Sequence, residues 1–258
     1  MKIISVVNQK GGVGKTATTL ALAYGLARKG KKILLIDFDP QGLLTSNLNA
    51  EVDETNPGSL KLLGLNTKPM LETVEIEKNL ELVTAGIGLE TANVLLSKKD
   101  NKETILSFVL SYIKNYDYII LDTRPDFSLL TINALIASDE LIIPFKAEYD
   151  SLVSLNILFQ NIAEIRHKNK NLKVAGLLAT MVDWRRKSTQ EVLDKVEKLA
   201  KDNKTRIYNS KIRSSAAVAD SGASHKAIYD YNRFAKATRD YKDFVDEFLK
   251  TQKKNKGD

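Results

Sequence analysis

Gln9-Lys10-Gly11-Gly12-Val13-Gly14-Lys15-Thr16 follows directly on the apolar run Ile3-Ile4-Ser5-Val6-Val7. A buried strand that ends in a glycine-rich turn and opens a helix leaves several backbone N–H groups unpaired and aimed at one point. The helix dipole adds partial positive charge at the same point. Gly11, Gly12 and Gly14 let the backbone curl and approach an anion without Cβ clashes. Lys15 reaches outer phosphates, and Thr16 offers a hydroxyl to Mg²⁺. The expected nucleotide-binding stretch is Lys10, Gly11, Gly12, Val13, Gly14, Lys15, Thr16 and Ala17.

The pattern outward from this loop alternates short β-branched runs with helical stretches. Residues 2–7 read as a strand, and 16–28 as a helix with Leu20, Tyr24 and Ala27 on one face. Gly30 punctuates its end. Strand-like runs recur at 32–36, 80–84, 118–121, 141–145 and 174–178, and more weakly at 206–208. Helical periodicity fills 102–115, 152–167, 189–202 and 235–251, while 49–70 reads as a loop-rich excursion. Near-continuous apolar strands alternating with helices predict an α/β fold: a mostly parallel twisted sheet with helices on both faces, in a single-domain P-loop NTPase. Nucleotide would bind at the carboxyl ends of the strands. The domain is expected to span 1–252, with nucleotide motifs in 1–150, a basic face in 151–252 and a frayed tail over 253–258.

Two more segments carry chemistry. The 32–36 strand runs into Asp37-Phe38-Asp39-Pro40-Gln41-Gly42, which places two carboxylates on one side of an extended chain. Facing a phosphate loop, they suit Mg²⁺ and water handling. Tyr118-Ile119-Ile120-Leu121-Asp122 is an apolar strand ending in a carboxylate, the Walker B arrangement, in which Asp122 bonds a Mg²⁺-bound water.

The loop departs from the general G-x-x-x-x-G-K-[ST] pattern, because Gln9 stands where the first glycine belongs and Lys10 precedes the Gly11-Gly12 pair. K-G-G-x-G-K-T resembles the deviant Walker A motif of the ParA/MinD class of ATPases. D-x-D-P-Q-G at 37–42 resembles the same class, as do Leu130-Thr131-Ile132-Asn133-Ala134-Leu135 and Asp139-Glu140-Leu141-Ile142-Ile143-Pro144. Looser matches follow at Thr180-Met181-Val182-Asp183, Ile212-Arg213-Ser214 and Ile228-Tyr229-Asp230. The resemblance implies ATP and Mg²⁺ as cofactors and a homodimer closed by ATP. It gives Lys10 a reach across the dimer interface and Asp39 the positioning of the attacking water. The catalytic set is then Lys10, Lys15, Asp39 and Asp122. Thr16 would touch the metal directly, with Asp37 and Asp122 acting through water. Arg124, in Thr123-Arg124-Pro125, stands where the class usually has a second proline. It is expected either at the surface or in contact with phosphate or the partner subunit.

Composition narrows the choice within the class. The 258 residues are 43% hydrophobic and 28% charged, with no cysteine, so disulfides and thiolate-bound iron–sulfur clusters are excluded. No apolar run approaches the roughly 20 residues of a spanning helix, and with a strand read at the very start no signal peptide is expected. Net charge is +7, unevenly spread: residues 1–150 carry 16 Lys+Arg against 19 Asp+Glu, and residues 151–258 carry 23 against 13. A basic half suits a polyanion, either nucleic acid or an anionic membrane, or it is a solvated surface. The apolar stripe Tyr241, Phe244, Val245, Phe248 and Leu249 has acidic residues on its polar side, which fits core packing better than membrane docking. Soj-like ParA proteins are similar in this respect, and the resemblance implies nonspecific DNA binding through Arg185 and Arg213, with Arg186 and Lys211 beside them and Lys187, Lys236 and Arg239 widening the patch. It implies a ParB-like centromere-binding partner that stimulates hydrolysis, no membrane partner, and a bacterial cytoplasmic, nucleoid-associated location. A MinD-like positioning ATPase is the alternative. No helix-turn-helix segment precedes the loop strand, so operator reading by this chain alone is not expected.

Overall fold

The computed structural model describes residues 1–254. Seven strands form one sheet: β1 (Lys2–Val6), β2 (Ile33–Phe38), β3 (Val74–Glu77), β4 (Leu80–Val83), β5 (Tyr118–Thr123), β6 (Glu140–Lys146) and β7 (Lys173–Thr180). Their spatial order is β3-β4-β2-β5-β1-β6-β7, and every neighbouring pair is parallel except β3 with β4. The helices are α1 (Lys15–Ala27), α2 (Leu43–Asn47), α3 (Gly58–Leu63), α4 (Thr91–Ser97), α5 (Ile105–Leu110) and α6 (Leu129–Ala137) in the first half. The second half adds α7 (Tyr149–Lys168), α8 (Ser188–Asp202), α9 (Ala216–Ala223), α10 (Ile228–Tyr231) and α11 (Lys236–Lys254).

Alternation along the strands sorts side chains to two covered faces. Ile33 and Leu35 of β2, with Ile4, Val6, Ile120 and Ile142, pack against α1, α10 and α11. Leu34, Ile36 and Phe38, with Ile119 and Leu121, face α3, α4, α5 and α6 on the other side. Farther along that second face, Leu141, Ile143 and Phe145 meet α7 and α8. The stripe on α11 belongs to the first face: Tyr241, Phe244, Val245 and Phe248 are buried there. Gly25 makes the close α1–α11 crossing possible, since a Cβ at that position would lie 2.7 Å from Val245 Cγ2.

Several elements differ from expectation. The antiparallel edge strand β3 carries Glu75 and Glu77 and shows no buried face, so alternation does not announce it. The run at 206–208 forms only a single parallel bridge, Leu177 with Ile207. The 49–70 excursion contains α3. The 102–115 helix shrinks to Ile105–Leu110, followed by turns in which the Ser111 hydroxyl bonds the Phe108 carbonyl at 2.7 Å. α11 runs through Lys254, two residues past the expected end of order, and the rest of the expected frayed tail, 255–258, lies outside the described residues.

Candidate nucleotide site

The site is assembled where β1, β5 and β2 end level with one another. Register places Asp122 beside Val6 on one side and beside Asp37 on the other. Beyond β1 the loop turns through two left-handed glycines, Gly12 (φ 65°) and Gly14 (φ 82°), the second being the N-cap of α1. An L side chain at either position would be strained. Gly11 lacks this geometry, and a Cβ there would meet open space, so nothing within the subunit itself demands glycine at that position.

Side chains from distant strands hold the loop. Thr180 Oγ1, at the end of β7, donates to the carbonyl of Val13 (2.8 Å) and to that of Phe145 (3.1 Å). Asn8 donates to the Pro144 carbonyl (2.8 Å) and accepts the Lys10 amide (2.9 Å). Pro144 is tolerated inside β6 because β1 has already ended at that level, so no ladder bond from its nitrogen is lost.

Lys15 is only 8% exposed. Burial lowers its pKa, against the opposing pull of Asp122, Asp39 and Asp126. No hydrogen bond of its ammonium is found among the described residues. Asp122 accepts Thr16 Oγ1 on one oxygen (2.7 Å) and Thr19 Oγ1 on the other (3.0 Å). Burial raises its pKa to about 6; the Thr16 bond, the Lys15 charge and the Thr19 bond pull the other way. Asp37 is raised further, to about 7, by burial first and then by the charge of Asp122. Both the amide (2.9 Å) and the hydroxyl (2.8 Å) of Thr45 donate to its Oδ2, and the Asp39 amide donates to Oδ1 (3.2 Å). Asp39 itself is half-buried and anchors the Gln41 amide (3.1 Å). Among the described residues no three acidic or histidine side chains cluster tightly enough to hold a metal alone. A divalent ion here would need the Thr16 hydroxyl, water and oxygens of a bound phosphate.

Lys10 folds back onto its own subunit, 2.6 Å from Asp150 and 3.3 Å from Glu148 at the start of α7. Burial alone would lower its pKa, but the bonds to the two carboxylates raise it. Arg124 is half-buried and engaged within its own subunit rather than free at the surface. It bridges Glu90 (3.1 Å) and Asp126 (2.5 Å), and so ties the segment after β5 to the turn before α4.

The four arginines and lysines expected to bind DNA sit on two segments that a backbone bridge joins, Val182 with Arg213. Each has an intramolecular partner. Arg185 makes a bidentate pair with Asp183 (2.8 and 2.8 Å), which holds that carboxyl down at about 2. Arg186 lies 3.7 Å from Glu148 and 3.9 Å from Asp183. Lys211 donates to the carbonyls of Tyr208 and Asn209, and its half-buried ammonium is pushed down by desolvation. Arg213 clamps the buried carboxylate of Asp240 at 2.7 and 2.8 Å. Only the pairs of Asp183 with Arg185 and Arg186 are close enough in sequence to be visible beforehand.

A family model described as an AAA domain matches residues 1–174. The sporulation initiation inhibitor protein Soj of Bacillus subtilis is 35% identical over 250 residues, covering 95% of this chain and 97% of that one. The chromosome partitioning protein ParA of Myxococcus xanthus is 39% identical over 199 residues, covering 76% and 70%. The chain belongs to the ParA/Soj family of P-loop ATPases. The ParA-type fold also superposes on the solved structure of cobyrinic acid a,c-diamide synthase from Mycobacterium smegmatis with bound ADP and magnesium, with a TM-score of 0.83, 26% identity, and coverage of 98% and 96%. Thr19, Thr45, Asn8 and the Thr180 hydroxyl are the parts of this ParA-type site that sequence reasoning missed.

Proposed function

We propose that this ParA-type ATPase is an ATP-gated DNA-partition switch. The carrying observation is Lys15: a buried ammonium with no hydrogen bond among the described residues, set beside two left-handed glycines and facing Asp122 and Asp39. Such a group is satisfied by phosphate oxygens. The amides of 11–16 and Lys15 would hold the phosphates of ATP. Thr16, with Asp37 and Asp122 through water, would hold Mg²⁺, which supplies charge neutralisation for the transferred phosphoryl group. The donor set fits that ion, since Thr16 and Asp122 are already in contact.

Asp39 orients the attacking water from the loop beyond β2. Lys10 leaves its own Asp150 and reaches the partner's phosphates, so a dimer forms only with ATP. Dimerisation doubles the basic segments 183–187 and 211–213 and raises avidity for nonspecific DNA. A ParB-like protein stimulates hydrolysis and releases the dimer, and the protein works on the nucleoid in the cytoplasm. The membrane-docking reading loses support because the apolar stripe of α11 is buried against α1. No helix among the described residues is long and apolar enough to cross a membrane.

Co-sedimentation with plasmid DNA in ATP, in ADP and without nucleotide tests the switch. DNA retention should need ATP and weaken with salt, and equal retention with ADP would refute it. Asp39→Ala should turn over slowly while keeping ATP-dependent DNA binding; undiminished hydrolysis would remove Asp39 from its role.

A further inference from the structure

The arginines that resemblance assigns to DNA are paired with carboxylates in the single subunit, although Arg185 stays exposed, and further contacts to a polyanion are to be sought among cations without such partners. One stretch stands out, the turn from α10 into α11, Asn232-Arg233-Phe234-Ala235-Lys236. Phe234 is 82% exposed, the most exposed large apolar side chain among the described residues. The guanidinium of Arg233 lies over its ring, 4.6 Å from the centroid. Lys236 and Arg239 follow on the exposed side of α11, one turn apart, and none of these three cations forms an ion pair among the described residues. The two nearest acids in sequence are already engaged, Asp230 by Arg28 and Asp240 by Arg213.

The turn is held in place. Asn232 Oδ1 accepts the amides of Phe234 (3.2 Å) and Ala235 (2.9 Å), and Thr238 Oγ1 donates to the Asn232 carbonyl (2.6 Å). The phenyl ring on this turn belongs to no hydrophobic cluster of the described residues; the Arg233 guanidinium lies over it, and Lys236 and Arg239 follow in the sequence without ion-pair partners. Rings presented this way enter between base pairs while neighbouring cations take the flanking phosphates. The insertion reads no sequence, because every base step offers a stacking face. A bilayer is the poorer match. Stable surface binding needs a broad apolar face or two anchoring signals, and the apolar face of α11 is used up in the core.

We propose that Phe234 is a wedge for double-stranded DNA, inserted at a base step, with Arg233, Lys236 and Arg239 seated on the adjoining phosphates. The proposal rests on the partition reading, in which DNA is the polyanion held in the ATP state.

The test uses the full chain with ATP and Mg²⁺, random-sequence duplex DNA over a range of salt, and a relaxed plasmid re-closed by a topoisomerase. Wild type should change the plasmid's linking number. Phe234→Ala should bind duplex about ten-fold more weakly, with an unchanged salt slope, no linking-number change and unaltered unstimulated ATPase. Phe234→Trp should restore both DNA readouts. Replacing Arg233, Lys236 and Arg239 by Gln should instead flatten the salt slope by about one unit for each phosphate that is no longer neutralised. Phe234→Ala binding within two-fold of wild type, or a wild type that leaves the linking number untouched, overturns the wedge while the partition reading stands. Phe234-dependent binding to phosphatidylcholine–phosphatidylglycerol vesicles in place of DNA overturns it in favour of a membrane. A wild type that never retains DNA in ATP overturns the partition reading first, and the wedge with it.

Discussion

Freeing Lys10 from its own subunit should tighten the ATP dimer. In the single chain its ammonium is held by Asp150 and Glu148. If it must leave them to touch the partner's phosphates, each closing dimer breaks this ion pair twice. Asp150 is exposed and Glu148 half-exposed, so it is a surface ion pair worth about 0.2–1 kcal/mol. Two of them amount to about 0.4–2 kcal/mol, or roughly two- to thirty-fold in the dimer dissociation constant. The perturbation is Glu148→Gln with Asp150→Asn, made in an Asp39→Ala background so that ATP persists. Sedimentation velocity at graded protein concentration, with ATP and Mg²⁺, gives the dimer constant. The double variant should dimerise at lower concentration, and the gap should narrow at high salt, which screens exposed pairs. An unchanged or weaker dimer refutes the reasoning and makes the two acids part of the closed interface rather than a restraint on the open chain.

Three further outcomes follow from the packing and the charges. Arg213→Ala strips the guanidinium from buried Asp240 and leaves it the residue-213 amide, so stability should fall by about 1–3 kcal/mol, read as a lower Tm; an unmoved Tm would show the clamp to be idle. Gly25→Ala drives a methyl to within 2.7 Å of Val245 and 3.1 Å of the Tyr229 hydroxyl, and should cost about 1–3 kcal/mol by chemical denaturation; wild-type stability would mean that α1 and α11 separate easily. The third concerns pH. Asp37, raised from 3.8 to about 7, holds its proton more tightly folded than unfolded, so its contribution is greatest in acid and is lost as pH climbs from about 4 to 7. In nucleotide-free, chelated protein, Asp37→Asn should therefore gain on wild type across that window, by up to ~1.4 kcal/mol per pKa unit, and a gap that shrinks with rising pH refutes the assignment.

The phosphate loop, Asp122 and the parallel sheet were legible because each is a local pattern: glycines beside a lysine, an apolar run ending in an acid, strands alternating with helices. What remained hidden depends on register. Thr180 reaches Val13 across 167 residues, and Thr45 meets Asp37 only because the chain after β2 doubles back as α2. The same limit applies to charge. Counting lysines and arginines locates a basic half, yet Arg213 is committed to Asp240, which sits 27 residues away on α11. Edge strand β3 was invisible for a related reason, since a half-exposed strand with glutamates has no hydrophobic signature.

The hydroxyl of Thr180 does more than brace a turn. It fastens the P-loop to the end of β7, and the chain leaves that end at once, through left-handed Met181, for Asp183, Trp184 and Arg185. The cradle and the outer arm therefore share one short tether, five residues from hydroxyl to guanidinium. A load on the arm is shared between the cradle's anchor on one side and α8, which begins at Ser188, on the other.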